Sequence, residues 1–286
     1  MTNDPAPDWI AAAVTEEGLL VWELRGPTVL RERRLTCPPE PSPDDLAATL
    51  SQDLAQVPPA APVVLAGAAP AGAAPPVPCT PPGAVASAEI GTRRLHLVPG
   101  LRQDGPVDLL PLGAVTVAGY LALNPGWDGV VCLPGRTTHW VQVSAGEIVS
   151  FQSYLGGAMR ALLAIPAVPD NPAPQDEAFD AGLAEGIARP ERIMARLHEA
   201  IARLRLGRLD AAAADAQLDG LLIGAELAAA RAYWLGQEIA VLGSGPRSDR
   251  YARALAAQGA PCTRGDGNRM TLEGLKAARQ ALGTSG

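Results

Sequence analysis

Lysine is almost missing from this chain: Lys276 is the single one in 286 residues. Arginine carries nearly all the positive charge, acids outnumber bases, and the net charge is -7. With no basic stripe, a nucleic-acid partner is not expected. Aromatic residues are scarce at 4%, so Ala, Leu and Val must build any core. The apolar content of 48% is enough for a large domain or two moderate ones. The excess of Ala, Arg and Pro is the ordinary mark of a GC-rich genome.

The four cysteines, Cys37, Cys79, Cys132 and Cys262, are scattered without a Cys-x-x-Cys pair. The three histidines lie equally far apart, so the sequence offers no metal site, and reduced buried thiols are expected. A secretory leader is also missing: the first eight residues are acidic where a leader is basic and then apolar. Residues 54–88 carry no charge but hold nine prolines, which excludes an ordinary membrane-spanning helix. These absences predict a soluble, cytoplasmic protein. There is no Gly-x-Ser-x-Gly elbow, so a hydrolase has little support.

What is present is a strand-rich opening. Apolar runs at 9–14 and 19–24, then the stretch 28–35, broken by Glu16-Glu17-Gly18 and Gly26-Pro27, predict three strands. Ser42 caps a helix to about Leu54, and 63–65 and 94–98 read as further strands. Residues 112–123 are apolar and read as a helix despite Val115, Thr116 and Val117. A second three-strand meander fills 130–154. Helices then follow at 157–164, 176–187, 190–206 and 210–234, with a proline-rich loop at 166–174. The strand 239–242 runs into Gly243-Ser244-Gly245, and helices are expected at 248–258 and 271–282. The doubled β-β-β opening suggests two related α/β lobes with a cleft between them.

Five segments, taken in order, resemble the 2-keto-3-deoxygalactonate kinase family of the sugar-kinase/actin superfamily. They are Val98-Pro-Gly-Leu101; Gly129-Val-Val-Cys-Leu-Pro-Gly135 with Trp140-Val141; Ala178-Phe-Asp-Ala-Gly-Leu-Ala-Glu-Gly186; Asp219-Gly-Leu-Leu-Ile-Gly-Ala-Glu226; and Val241-Leu-Gly-Ser244 followed by Tyr251. The resemblance implies two ribonuclease-H-like α/β lobes, an N-terminal one at 1–125 and a C-terminal one at 126–286, with the last helix packing back across them. It also implies ATP and magnesium as cofactors, and transfer of the γ-phosphate to a 2-keto-3-deoxy sugar acid.

The polar motifs of that family are replaced here. Its opening Asp-Trp-Gly-Thr-Thr-Asn-Leu-Arg-Ala-Trp aligns so that Ala13 takes the position of the magnesium-anchoring Asp, and Glu16-Glu17 the positions of the phosphate-facing Thr pair. A carboxylate pair repels phosphate by a few kcal/mol at roughly 4 Å. Met-Arg-Gly-Glu-Glu-Thr-Gln aligns with 110–116, leaving Gly113 and Ala114 at positions that have lost the site's polar groups. Met-Thr-Gly-Glu aligns with Leu155-Gly156-Gly157-Ala158, and its acid is lost at Ala158. Leu-Pro-Gly-Thr-His-Ser-Lys-Trp becomes Leu133-Pro134-Gly135-Arg136-Thr137-Thr138-His139-Trp140.

The nucleotide- and phosphate-binding candidates are therefore Gly135, Arg136, Thr137, Thr138 and His139, with Gly243, Ser244 and Gly245 as an adenosine turn. Each has a plain alternative, a solvated turn or an ordinary strand-to-helix connector. Trp22 and Trp140 read as core, Glu226 as a surface charge or a nucleotide-facing acid, and Asp249-Arg250 and Arg253 as a solvated helix face. No catalytic residue and no metal ligand is retained, which predicts weak or lost phosphoryl transfer. The alternatives are an active sugar-acid kinase with a rearranged metal and phosphate site, and a non-catalytic module for an anionic metabolite or a protein partner, including a second copy of the chain.

Overall fold

A computed structural model describes residues 6–38, 41–82, 85–90, 93–165 and 175–283. The chain forms two compact units. The first comprises Met1–Asp128, Val143–Phe151 and Asp266–Gly286; the second comprises Gly129–Gln142 and Gln152–Gly265. The loop expected at 166–174 lies outside the described residues.

The first unit opens with β1 (Trp9–Thr15), β2 (Gly18–Arg25) and β3 (Thr28–Leu35), followed by α1 (Pro43–Asp53) and β4 (Val63–Ala66). Then come β5 (Ala86–Ile90), β6 (Arg93–Val98), β7 (Leu101–Asp104), β8 (Val107–Leu110) and α2 (Gly113–Leu123). The six-stranded sheet has the order β3-β2-β1-β4-β6-β5, with β4 parallel to both β1 and β6. Side-chain alternation sorts β1 between two cores. Trp9, Ala11 and Ala13 join Leu20, Trp22 and Val115 on one face, and Ile10, Ala12 and Val14 join Leu46, Leu50 and Leu54 on the other. Leu46 and Leu50 lie one turn apart on α1, which a Ser42–Asp45 capping box starts.

The second unit contains β9 (Gly129–Leu133), β10 (Thr138–Ser144) as far as Gln142, the end of β11 (Glu147–Tyr154) from Gln152, and α3 (Gly156–Leu162). These are followed by α4 (Asp176–Ala188), α5 (Ile193–Arg205), α6 (Ala211–Ala229) and α7 (Arg231–Trp234), then β12 (Ile239–Leu242), α8 (Pro246–Ala257) and β13 (Thr263–Gly265). The five-stranded sheet has the order β11-β10-β9-β12-β13, with β12 parallel to β9 and β13. Helix α6 is apolar almost all round because it is covered on several sides. Its Ile223 and Leu227 pack with Cys132, Trp140 and Tyr251, while Leu218, Leu221 and Leu222 pack with Leu197 and Ala200 of α5.

Helices α4 and α6 meet backbone to backbone. A Cβ added at Gly182 would lie 2.4 Å from the Gln217 carbonyl oxygen, and one at Gly186 2.4 Å from that of Leu221. In return, Gly220 would meet the Phe179 oxygen at 2.2 Å and Gly224 the Leu183 oxygen at 2.4 Å. Two glycine pairs four residues apart thus interlock. In the first unit α2 meets α9 (Gly267–Gly283) the same way, at Gly119 and Gly274.

Several elements differ from the sequence reading. The β7–β8 hairpin, β5 and β13 are too short to carry a pattern. The expected helix 210–234 ends at Ala229 and resumes as α7, with buried Ala230 at the break and the Trp234 indole donating to the Leu227 oxygen at 2.8 Å. Helix α9 starts at Gly267 and not at Thr271, because Asp266 accepts from the Arg269 amide at 2.7 Å and caps it. No helix among the described residues is long and apolar enough to cross a membrane.

Gly220→Ala sets two effects against each other. Alanine raises helix propensity by about 1 kcal/mol, whereas a methyl forced into the α4–α6 contact costs about 1–3 kcal/mol. The expected result is net destabilisation in urea unfolding, and an unchanged or higher midpoint would rule out the backbone contact.

Candidate functional site

The parallel pairing of β9 and β12, with Val241 opposite Cys132, brings two turns together at the strands' carboxyl ends. That is where open α/β sheets take ligands. Leu133-Pro134-Gly135 leaves β9 beside Gly243-Ser244-Gly245 leaving β12: a Cβ on Gly243 would lie 3.5 Å from Pro134 Cδ and 2.3 Å from Ser248 Oγ. Gly245, at φ 81°, turns the chain into α8, where Pro246 occupies the first turn.

The Arg136 turn also meets the start of α3. The Ala158 amide donates to the Arg136 oxygen at 2.7 Å, and a Cβ on Gly157 would sit 2.0 Å from the Gly135 oxygen. Backbone contact thus joins the phosphate candidates Gly135 and Arg136 to Ala158. Arg136 is exposed and Thr137 half-buried. Thr138 is fully buried on β10, with its hydroxyl 2.9 Å from that of Tyr251. His139 follows on the same strand, its Nδ1 2.6 Å from Ser153 Oγ.

Sequence reasoning missed the polar network beneath these turns. Glu226 is a buried acid, only 5% exposed, and not the expected surface charge. The Trp140 indole, read as core alone, also donates to Glu226 Oε1 at 3.0 Å. Oε2 has no hydrogen-bond partner. It faces Gly156, where an added Cβ would lie 2.8 Å from Oε2 and 3.4 Å from Arg247 Nη2. The Arg247 guanidinium stands 5.3 Å from the centre of the Tyr251 ring. Burial pushes the Glu226 carboxyl up to about 7, against the opposing pull of Trp140, Tyr251, Arg247 and Thr138. Tyr154 is pushed up to about 12 by burial and by the charge of Glu226.

Arg250 is likewise not on a solvated face. Together with Arg160 and Arg247 it surrounds Asp215 and Asp219, because α3 and α6 close over that side of α8. Asp219 Oδ1 lies 3.4 Å from Arg160 Nε and 3.3 Å from Arg247 Nη1, and Asp219 also pairs with Arg250. Asp215 pairs with Arg160 and, at 3.7 Å, with Arg250. The sequence signal was the spacing of Asp215, Asp219 and Glu226, which puts three acids on one face of an otherwise apolar helix. Arg253 stays on the surface with Asp176 and Asp180.

In the first unit, Ala13 is fully buried, paired with Leu20 and Ala66, and its methyl group belongs to the core. Glu16-Glu17 is the two-residue turn left by the Thr15–Gly18 register, and exposed Glu17 pairs with Arg34. Gly113 and Ala114 are buried in the first turn of α2. A methyl offers no oxygen to a magnesium ion, so the end of β1 does not fit a magnesium–phosphate group. Among the described residues no three His, Cys, Asp or Glu side chains form a metal-sized cluster.

Two mixed sheets with their covering helices give the chain an α/β fold. A Sinorhizobium meliloti crystal structure described as a 2-dehydro-3-deoxygalactonokinase superposes with a TM-score of 0.84 at 23% identity, covering 96% of each chain. The (R)-2-hydroxyglutaryl-CoA dehydratase component A of Acidaminococcus fermentans gives 0.52 at 11% identity, covering 96% of this chain and 98% of that one. The family described as 2-keto-3-deoxy-galactonokinase matches residues 18–278, and the chain belongs to it. The Escherichia coli 2-dehydro-3-deoxygalactonokinase is 29% identical over 195 residues, 66% of each chain. A Rhizobium meliloti protein described as a probable enzyme of the same name is 28% identical over 200 residues. That match covers 66% of this chain and 65% of the relative, so the chain spans just under two thirds of the length of these curated relatives.

The raised carboxyl of Glu226 gives stability a definite pH slope. Its folded value lies above the unfolded one, so its contribution is full below the unfolded value of about 4.5 and is lost as pH rises through about 7. The loss amounts to about 3 kcal/mol between roughly pH 5 and pH 8. Urea unfolding across that range is expected to show this decline in the wild type and a much flatter profile in Glu226→Gln.

Proposed function

We propose that this member of the 2-keto-3-deoxy-galactonokinase family has weak or no phosphoryl-transfer activity. Ala13 carries the reading: at the carboxyl end of β1, where the family resemblance expects a magnesium-anchoring acid, a methyl group is packed into the core. Phosphoryl transfer depends on positioning and on neutralising the γ-phosphate charge with metal and cations. The next positions in the turn are acidic, and Glu17 is already engaged by Arg34, which weighs against a rearranged metal site built from Glu16 and Glu17. Buried Gly113 and Ala114 support the same reading.

The turns at the carboxyl ends of β9 and β12 favour retained binding of an anionic small molecule in the cytoplasm. A ligand present at a hundredfold excess over its Kd stabilises the folded state by about 2.7 kcal/mol.

A coupled assay with magnesium-ATP and 2-keto-3-deoxygalactonate tests the proposal. Little or no turnover above an enzyme-free control is expected, even where either ligand raises the melting temperature. Robust magnesium-dependent phosphorylation of the sugar acid would overturn it.

A further inference from the structure

The ion network of α3, α6 and α8 is short of negative charge. Among the described residues it gathers three guanidiniums, Arg160, Arg247 and Arg250, around two carboxylates, Asp215 and Asp219. All four carboxylate oxygens are engaged by those cations. The Nε atoms of Arg160 and Arg247 are nevertheless buried without a hydrogen-bond partner. Burial, then the charges of Arg250 and Arg247, brings Arg160 down to about 10 even though it pairs with Asp215 and Asp219. A further acid, Glu226, faces Gly156 beside Arg247, and burial pushes its carboxyl up to about 7.

We propose that Arg160, Arg247 and Arg250 form a binding site for one compact oxyanion, the phosphoryl or carboxylate group of a small metabolite. Guanidinium forks hold such groups through paired, charge-assisted hydrogen bonds. The side chains of Arg160, Arg247 and Arg250 are 14%, 21% and 29% exposed, so an ion can reach the cluster without unfolding it. The site lies entirely within the second unit and does not depend on whether phosphoryl transfer survives.

Charge counting supplies a test with two opposite signs. Arg160→Met leaves two arginines facing two aspartates, a balanced set that keeps every acid paired. Asp215→Asn raises the excess to two positive charges. Isothermal titration at constant ionic strength, with inorganic phosphate and separately with pyruvate, reads both variants against the wild type. The expected wild-type Kd is on the order of millimolar or tighter. Arg160→Met is expected to weaken binding at least roughly tenfold and Asp215→Asn to tighten it severalfold, as one charge change at a partly buried site implies.

This order with either anion supports the site, and the tighter-binding anion identifies the group recognised. Equal affinities in wild type and Arg160→Met, or no binding of either anion to the wild type, would overturn it. Circular dichroism checks that each variant is folded, and the Arg160→Met comparison stands alone if Asp215→Asn does not fold.

Discussion

The second unit depends on how closely α4 and α6 approach. Four glycines let carbonyl oxygens of each helix press where side chains of the other would stand. That contact seats α6 deep enough for α5 to cover one side while the sheet and α8 cover others. A polar residue on such a helix is removed from water wherever it points, and must find partners or change its charge. Asp215 and Asp219 find arginines. Glu226 finds the Trp140 indole for one oxygen, and its ionisation shifts upward. Three acids that would be unremarkable on an exposed helix become the electrostatic centre of the unit because of a backbone contact on the opposite side.

The two units treat the family's chemistry differently. Near the end of β1 and in the first turn of α2, Ala13, Gly113 and Ala114 are small, apolar and buried. At the ends of β9 and β12 the frame persists, with Pro134 against Gly243 and Gly135 against Gly157. This division follows from energetics. A badly filled core costs several kcal/mol, whereas a disused polar site costs nothing to lose and its replacements can add stability.

Much of the fold was legible because the signals were local. The apolar run of β1, the Ser42 cap of α1 and the meander at 130–154 each depend on residues near one another in sequence, and the structure has strands and a capped helix there. The short β5, β7, β8 and β13 carried too few residues for a period to register. The start of α9 was missed because the eye settles on Thr271, while Asp266 makes the cap. The candidate turns were legible as turns, but the fate of each side chain was not. Thr138 looked like part of a phosphate loop, yet it is the first residue of β10 and shares its hydroxyl with Tyr251.

By itself the sequence determined the succession of strands and helices, the family frame, and the absence of an acid at Ala13, since these rest on residue identity and short-range periodicity. Only the tertiary structure decided which charges are buried and who faces them. Asp215, Asp219, Glu226, Arg160, Arg247 and Arg250 come from three helices separated by up to about ninety residues, and ion pairing and desolvation depend on distance in space and on access to water. Neither quantity is written in the order of residues along the chain. Both follow once α6 is locked against α4 and closed over by its neighbours.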